Sequence, residues 1–334
     1  MHFHTVFKGS PHKDIVEAIK ETSPFEGDQV RVTVTAAGLC ASDNHFRSQD
    51  MVLGHEGIGV VQETGLNVRH LREGDRVGWG FQHNSCQLCK LCLQGNEVYC
   101  QDRQMYGVSN LQQGAFATSA VWRESFLIPI PKGIKDEHAA PLMCAGATVI
   151  SSLKYTTMTP GSTVGVLGLG GLGHLAVLFA SKLGFRVIVI SSSPSKRSHA
   201  LELGAHQFYD LNVALSKGME ECLDALLIMT SAQHLEWRRL PTLMAPGGCI
   251  LPLGIIDTDI NIPLVPLVTN GLLIKGSIIA ARHTMLEMLG FAVTHDIKPV
   301  VRESPLSKPG IMEAMDLLAH GAIIFRAVFM PTRG

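Results

Sequence analysis

Hydrophobic and polar positions follow two different rhythms along this chain, and the change comes near residue 145. Before it, QVRVTVTAAG (29–38), GIGVVQETG (57–65), GDRVGWG (74–80) and AFATSAVW (115–122) place β-branched and aromatic residues in short, partly alternating runs cut by glycine. Such runs predict short strands and an irregular, mostly β domain. After it, TVGVLGLG (163–170), GLGHLAVLFASKLG (171–184), RVIVISS (186–192), PSKRSHALELG (194–204), ALLIMTS (225–231) and GCILPLG (248–254) alternate strand-like with helical texture. That alternation predicts a parallel sheet with helices on both faces. Gly184 and Gly204 stand where two helices should stop, in the position that follows a C-cap. Beyond GLLIKGSII (271–279) the texture is mixed again, with helices expected near 284–294 and 307–319 and a last strand in IIFRAVFMP (323–331). This tail reads as a return to the first domain. The apolar run 164–180 is interrupted by five glycines and His174, so it reads as strand, turn and helix rather than a membrane span.

Composition adds bounds. The chain has 334 residues and 46% hydrophobic content, enough for a large core and two domains. A net charge of −1 offers no electrostatic footprint for nucleic acid or an anionic membrane. The N-terminal MHFHTVFKGSPHKD has neither a basic nor an apolar signal region, so a cytoplasmic, reducing location is expected. Cysteines there serve as metal ligands or reactive thiols more often than as disulfides.

Four of the eight cysteines, Cys86, Cys89, Cys92 and Cys100, fall within CQLCKLCLQGNEVYC with spacing C-x2-C-x2-C-x7-C. Four thiolates on a turning backbone complete a closed tetrahedral zinc site, which holds a loop and leaves no position for substrate. An iron–sulfur cluster is the rival, weakened by the long last gap and by the lack of a proline after Cys100. Free or redox thiols are the third reading. Three further candidates are dispersed: Cys40 in AAGLCASDNH, His55 in LGHEGIG and Cys144 in APLMCAG. Singly, each could be a buried thiol or a structural imidazole. Around His55, however, GHEGIGVVQETG fits G-H-E-x2-G-x5-G at every defined position.

Taken with GLCASD, AAPLMCAG, GLGGLGH, SSSPSK and GSII in the same order, these segments resemble the zinc-dependent medium-chain alcohol dehydrogenases, in particular the cinnamyl alcohol dehydrogenase-like branch. The resemblance covers nearly the whole chain. It implies an α/β protein: a GroES-like, mostly β catalytic domain (1–144 and 284–334) plus a Rossmann, doubly wound cofactor domain (145–283). It implies two zinc ions per chain: a catalytic ion on Cys40, His55 and Cys144 with Glu56 as an alternating ligand, and a structural ion on Cys86, Cys89, Cys92 and Cys100. Alcohol dehydrogenase is itself the standard example of a Cys2His catalytic zinc site. Asp43 matches the acid that receives the free ring N–H of His55. Ser42 and His45 match a proton relay that leads from the alcohol, through a hydroxyl and the cofactor ribose, to an outer imidazole. The resemblance further implies a small-molecule alcohol or aldehyde substrate and a homodimer formed through the Rossmann domain.

Gly168, Gly170 and Gly173, with Gly171 and Leu172 between them, follow the strand TVGVL and precede a helix, the context that a dinucleotide fingerprint requires. NAD enzymes carry an acid about twenty residues further on. Here Ser191, Ser192 and Ser193 stand there, followed by Lys196 and Arg197, which favours NADP(H) by hydroxyl and cation contacts to a 2′-phosphate. Serine capping of a helix, with solvated charges, is the plainer reading of the same residues. By the resemblance, Thr148 and Ser277 to Ile279 lie near the nicotinamide. Ala41 departs from the branch pattern and the Asp43 to Gly54 segment is short, so the substrate mouth is expected to be reshaped. Trp79, Phe81 and Tyr106 are either pocket walls or core. The reaction expected is reversible alcohol to aldehyde or ketone conversion. Reduction of an iminium or activated alkene on the same scaffold and a non-catalytic dinucleotide-binding protein are the alternatives.

Overall fold

The structure is a computed structural model that describes residues 2–22, 27–154, 158–230, 235–254 and 259–332. Ser231, the last residue of ALLIMTS, lies outside them. The chain divides into two compact units, Met1–Ala147 with Ile279–Gly334, and Thr148–Ile278.

In the first unit, strands lie side by side in the order Val301–Pro305, Arg326–Met330, Gln29–Leu39, Gly57–Thr64, Arg76–Trp79 and Ile128–Pro129, and Ser119–Arg123 also pairs with Gln29–Leu39. Along Gln29–Leu39, Val30, Val32 and Val34 point into a core that also holds Trp79, Phe116 and Phe329. The alternation seen in the sequence is therefore that of a strand with one buried face. Arg326–Met330 joins this strand antiparallel, Ala327 opposite Leu39 and Phe329 opposite Ala37, which sews the C-terminal tail into the N-terminal sheet. Two register shifts, at Arg31/Val32 and Val34/Ala36, bend the pairing with Gly57–Thr64. Past the second shift Ala37 faces Gly57, and the Gly38 N–H donates to the Glu56 carbonyl at 2.8 Å. This crossing sets Cys40 against His55 and Glu56. Glycine is needed at 38, because a Cβ there would stand 2.1 Å from Glu56 Oε2.

The second unit is a six-stranded parallel sheet in the order Gln207–Asp210, Arg186–Ser191, Thr163–Leu167, Leu223–Ile228, Met244–Pro252 and Leu273–Ile274. Numbered by chain order within the unit this is 3-2-1-4-5-6, the doubly wound arrangement, with its switch point between Thr163–Leu167 and Leu223–Ile228. Val187 to Ile190 are fully buried, as a strand covered on both faces requires. Gly184 (φ 82°) and Gly204 (φ 108°) end their helices in the left-handed conformation. The apolar run near 164–180 resolves into the strand Thr163–Leu167 and the helix Gly173–Lys182. Among the described residues no helix is long and apolar enough to cross a membrane.

The unit boundaries differ from those expected at 144/145 and 283/284. The chain leaves the first unit after Ala147, inside a continuous helical run made of a π-helical turn at Leu142–Gly146 and the helix Ala147–Lys154. It re-enters at Ile279, ahead of the helix Arg282–Thr294. Hydrophobic texture reports where element types change, and contacts change a few residues away from that point.

Candidate metal centres and cofactor site

The cysteine lobe grows out of the short pair Gln82–Asn84 and Gln104–Met105. Cys86 lies in the loop before a single helical turn, Lys90–Leu93, Cys89 is that turn's N-cap, Cys92 is inside it, and Cys100 follows the 3-10 turn Glu97–Tyr99. Their sulfurs stand 3.8 Å (Cys86 to Cys92), 3.6 Å (Cys89 to Cys92) and 3.5 Å (Cys86 to Cys100) apart. A disulfide would bring two of them to about 2.05 Å. Four sulfurs about 2.3 Å from one zinc stand about 3.8 Å apart along a tetrahedron edge, which is the spacing found. In an iron–sulfur cluster the four thiolates are divided among two or four irons, and all four sulfurs together spread wider than around one ion. None of the eight cysteines is in a disulfide. Backbone N–H groups of Leu88 and Cys89 lower the Cys86 thiol to about 7, as suits a sulfur that ligates as thiolate.

The lobe is braced from one side. The Glu97 carboxylate accepts the backbone N–H and the Nε–H of Arg282, at 2.9 and 3.0 Å. The same guanidinium donates to the Ser125 carbonyl at 2.8 Å and lies 4.6 Å from the Phe126 ring centroid.

A second donor set is fully enclosed. Cys40, His55, Glu56 and Cys144 are all buried, and one donor atom from each lies within 4.8 Å of the others. Cys40 caps the helix Ala41–Phe46, His55 and Glu56 precede the strand Gly57–Thr64, and Cys144 sits in the π-helical turn. Such turns re-aim side chains at functional positions. Asp43 organises the set. Its Oδ2 accepts the Cys40 N–H at 2.8 Å, and its Oδ1 accepts from His55 Nδ1 at 3.1 Å and from the Tyr106 hydroxyl at 2.8 Å. Nδ1 therefore carries the proton, and Nε2 is buried without a hydrogen-bond partner, a donor atom left for a metal. Burial alone would lower the His55 pKa. The charge and hydrogen bond of Asp43 outweigh it, and with Cys40 they raise the imidazole well above its ordinary value. A hydrogen bond from Cys144, more than the opposing burial, holds the Cys40 thiol well below its usual range. Two sulfurs and one imidazole nitrogen fit a zinc site with an open fourth position.

Glu56 adds a carboxylate whose Oε2 is ion-paired with the buried Arg326. Burial raises its pKa to about 7, against the pull of Arg326. The sequence reading missed both Arg326 and the Tyr106 hydroxyl. An arginine inside the apolar run IIFRAVFM is a signal in itself, since arginine is almost never fully buried unless paired. Nothing around Tyr106 distinguishes it from a core aromatic. Trp79 and Tyr106 are buried core, whereas Phe81 lines a small cavity with Ile128, Met143 and Ile279. Ser42 is partly exposed with its Oγ 3.8 Å from the Cys40 sulfur, and His45 is exposed in the last turn of the same helix.

In the second unit the glycine loop has the shape its spacing predicts. Gly168 is left-handed (φ 100°), a Cβ on Gly173 would meet the Gly168 carbonyl oxygen at 2.0 Å, and Gly170 has open space before it. Gly171 and Leu172 are partly exposed between them. Ser192 is exposed and Ser193 partly so, while the Ser193 N–H donates to Ser191 Oγ at 3.2 Å. Ser193 precedes the turn Pro194–Lys196, yet its side chain makes no capping bond. Lys196 Nζ donates to the Leu169 carbonyl at 2.9 Å, which draws the ammonium to the glycine loop. Arg197 turns to the Phe208 carbonyl (3.3 Å) and lies 5.9 Å from the centre of its ring. Asp210, which pairs in register with Ser191, is occupied in capping the helix Leu211–Lys217 through the N–H groups of Asn212 and Val213. Thr148 and Ser277 belong to this unit, and Ile279 to the first, where it is buried at φ 40°.

Comparison with known proteins adds a lineage. Residues 26–132 match the alcohol dehydrogenase GroES-like domain, and residues 171–294 match the zinc-binding dehydrogenase domain. The chain is 35% identical over 320 residues to cinnamyl alcohol dehydrogenase 3 of Arabidopsis thaliana, covering 90% of this chain and 84% of that one. A cinnamyl alcohol dehydrogenase of Sorghum bicolor superimposes with a TM-score of 0.90 at 30% identity, covering 98% and 97% of the two chains. CAD from Helicobacter pylori, solved in complex with NADP(H), gives a TM-score of 0.89 at 27% identity over 99% of each.

Proposed function

Because this chain belongs to the zinc-type medium-chain alcohol dehydrogenases, in their cinnamyl alcohol dehydrogenase-like branch, we propose that it is an NADP(H)-dependent, two-zinc enzyme that interconverts an alcohol with an aldehyde or ketone. The observation that carries the reading is the orphaned His55 Nε2, buried beside the Cys40 and Cys144 sulfurs while Asp43 holds the opposite nitrogen. In this reading Cys40, His55 and Cys144, with Glu56 in reserve, hold a catalytic zinc, and Cys86, Cys89, Cys92 and Cys100 hold a structural one. When bound, zinc acts as a Lewis acid on the substrate oxygen, and the nicotinamide exchanges a hydride with the substrate carbon.

The chain's own side chains do the rest. Asp43 keeps His55 in the tautomer that presents Nε2. Arg326 holds the charge of Glu56. Ser42 takes the proton an alcohol must lose, and His45, exposed at the helix end, delivers it to water. Thr148, Ser277 and Ile279 position the nicotinamide. Gly168, Gly170 and Gly173 admit the pyrophosphate, Ser192 and Ser193 donate to a 2′-phosphate, and Lys196 supplies charge beside the loop. Arg197, committed to Phe208, adds charge from further away.

A second copy completes the assembly. The edge strand Leu273–Ile274 and the helix Leu264–Thr269 expose Leu264, Val265, Val268, Leu273 and Ile274. An open strand edge with an apolar flank is a surface for self-pairing. A reducing, cytoplasmic setting accords with eight cysteines outside disulfides.

The test is turnover of a panel of aldehydes and ketones with NADPH and NADH. The reading expects carbonyl reduction with NADPH favoured at least tenfold in kcat/KM, the lower worth of charge-assisted contacts to a phosphate. Preference for NADH would remove the cofactor assignment, and no turnover of any carbonyl would remove the reaction.

A further inference from the structure

Asp43 is the hub of the enclosed donor set, and two of its three hydrogen bonds come from residues assigned to the metal, Cys40 and His55. The third comes from a side chain with no assigned task. We propose that Tyr106 is a positioning residue for the catalytic metal: its hydroxyl holds the Asp43 carboxylate and the backbone before His55 in the one arrangement that aims Nε2 at the ion. This rests on the reading that Cys40, His55 and Cys144 hold zinc.

The hydroxyl works in two directions at once. It donates to Asp43 Oδ1 at 2.8 Å, the same oxygen that accepts from His55 Nδ1. It accepts from the Gly54 N–H at 2.9 Å, and Gly54 is the residue immediately before His55. One buried oxygen therefore ties together the acid that orients the imidazole and the main chain that carries it. The ring is fixed as well. Tyr106 is fully buried, its backbone N–H donates to the Phe81 carbonyl at 2.8 Å, and Phe46 and Phe81 meet its ring at centroid distances of 5.3 and 5.6 Å, near perpendicular. The His55 ring lies over it, 4.5 Å between centroids. Phenylalanine could supply all of this packing, so packing alone does not call for a hydroxyl. Shells around a metal are stiff only where each ligand partner is itself bonded, and their loss commonly weakens metal binding by about ten- to a hundredfold.

The experiment uses the full chain loaded with cobalt(II) at the catalytic position and zinc in the cysteine lobe. Tyr106→Phe, Asp43→Asn and the double variant are compared with the parent by visible d–d absorption and by chelator competition. The expected result is a changed d–d spectrum and an affinity of the catalytic position about tenfold weaker in Tyr106→Phe, with the lobe metal retained. Because Tyr106 acts through Asp43, the same change made on Asp43→Asn should cost at most about twofold, a coupling that a packing role would not produce. A Tyr106→Phe protein with the parent's spectrum and affinity, altered only in unfolding temperature, overturns the inference. If Tyr106→Phe does not accumulate in folded form, 3-fluorotyrosine at 106 keeps the shape and strengthens the donor. A shifted cobalt spectrum then supports the proposal and an unshifted one overturns it. A parent that takes up no metal on Cys40, His55 and Cys144 overturns the zinc reading itself, an outcome separate from any difference between variants.

Discussion

Arg326 is a buried guanidinium beside Glu56, Cys40 and Cys144, and its partner Glu56 is equally enclosed. Removing one member of such a pair leaves an uncompensated buried charge, at a cost of about 3–5 kcal/mol. Arg326→Met should therefore destabilise the first unit by an amount in that range, read as a lowered denaturation midpoint. Adding Glu56→Gln should recover most of the loss, and a double variant no better than the single one would show that Arg326 matters for packing alone. At this scale the clustering of Cys86, Cys89, Cys92 and Cys100 was legible from their spacing, and that of Cys40, His55, Glu56 and Cys144 from the segments that carry the family resemblance. The Asp43 to Tyr106 bond was not. It joins residues in separate elements, and no periodicity records a hydrogen bond that depends on tertiary packing. Arg197 shows the reverse case, a cation legible as a phosphate contact whose folded position is set by Phe208.

Between elements, side chains rather than ladders tie the irregular parts of the first unit. Glu124 gathers the N–H groups of Arg69, His70 and Leu71 on one carboxylate at 2.5 to 3.1 Å. Burial works to raise its pKa, but those N–H groups outweigh it and hold the carboxylate below its ordinary value. A carboxylate depressed in this way contributes stability that is complete above its unfolded pKa of about 4.3 and is lost as pH falls through the folded value. Glu124→Gln should thus unfold more easily than the parent at pH 7, and the gap should close below about pH 4. A gap of constant size across that interval would contradict the account. Cys100→Ser tests the lobe: thermal unfolding should fall first, with turnover per folded molecule little changed. Unchanged unfolding with lost turnover would make the lobe catalytic. Strands and helices were legible here because buried faces repeat every two or every 3.6 residues. The N-terminal hairpin, His2–Lys8 with Val16–Thr22, was not, since much of it is exposed and its apolar positions are sparse.

For the whole chain, the parallel sheet was legible from strand and helix alternation, while its 3-2-1-4-5-6 order is set by which strands pair across long stretches of chain, which no local pattern records. The unit limits fell a few residues from the change in texture, because the chain passes out of the first unit within a helix. The exposed apolar edge at Leu273–Ile274 predicts that the protein sediments as a dimer, and that Val268→Lys with Leu273→Lys gives a folded monomer. A parent that sediments as a monomer would remove that assignment. In the proposed reading labour is divided between two metal sites, and metal content reports on both at once. Protein purified without chelator should hold about two zinc ions per chain, and Cys144→Ala should hold about one while remaining folded, since the closed lobe binds its own ion. A parent holding no zinc, or iron in its place, or a Cys144→Ala chain that keeps both ions, would contradict the account.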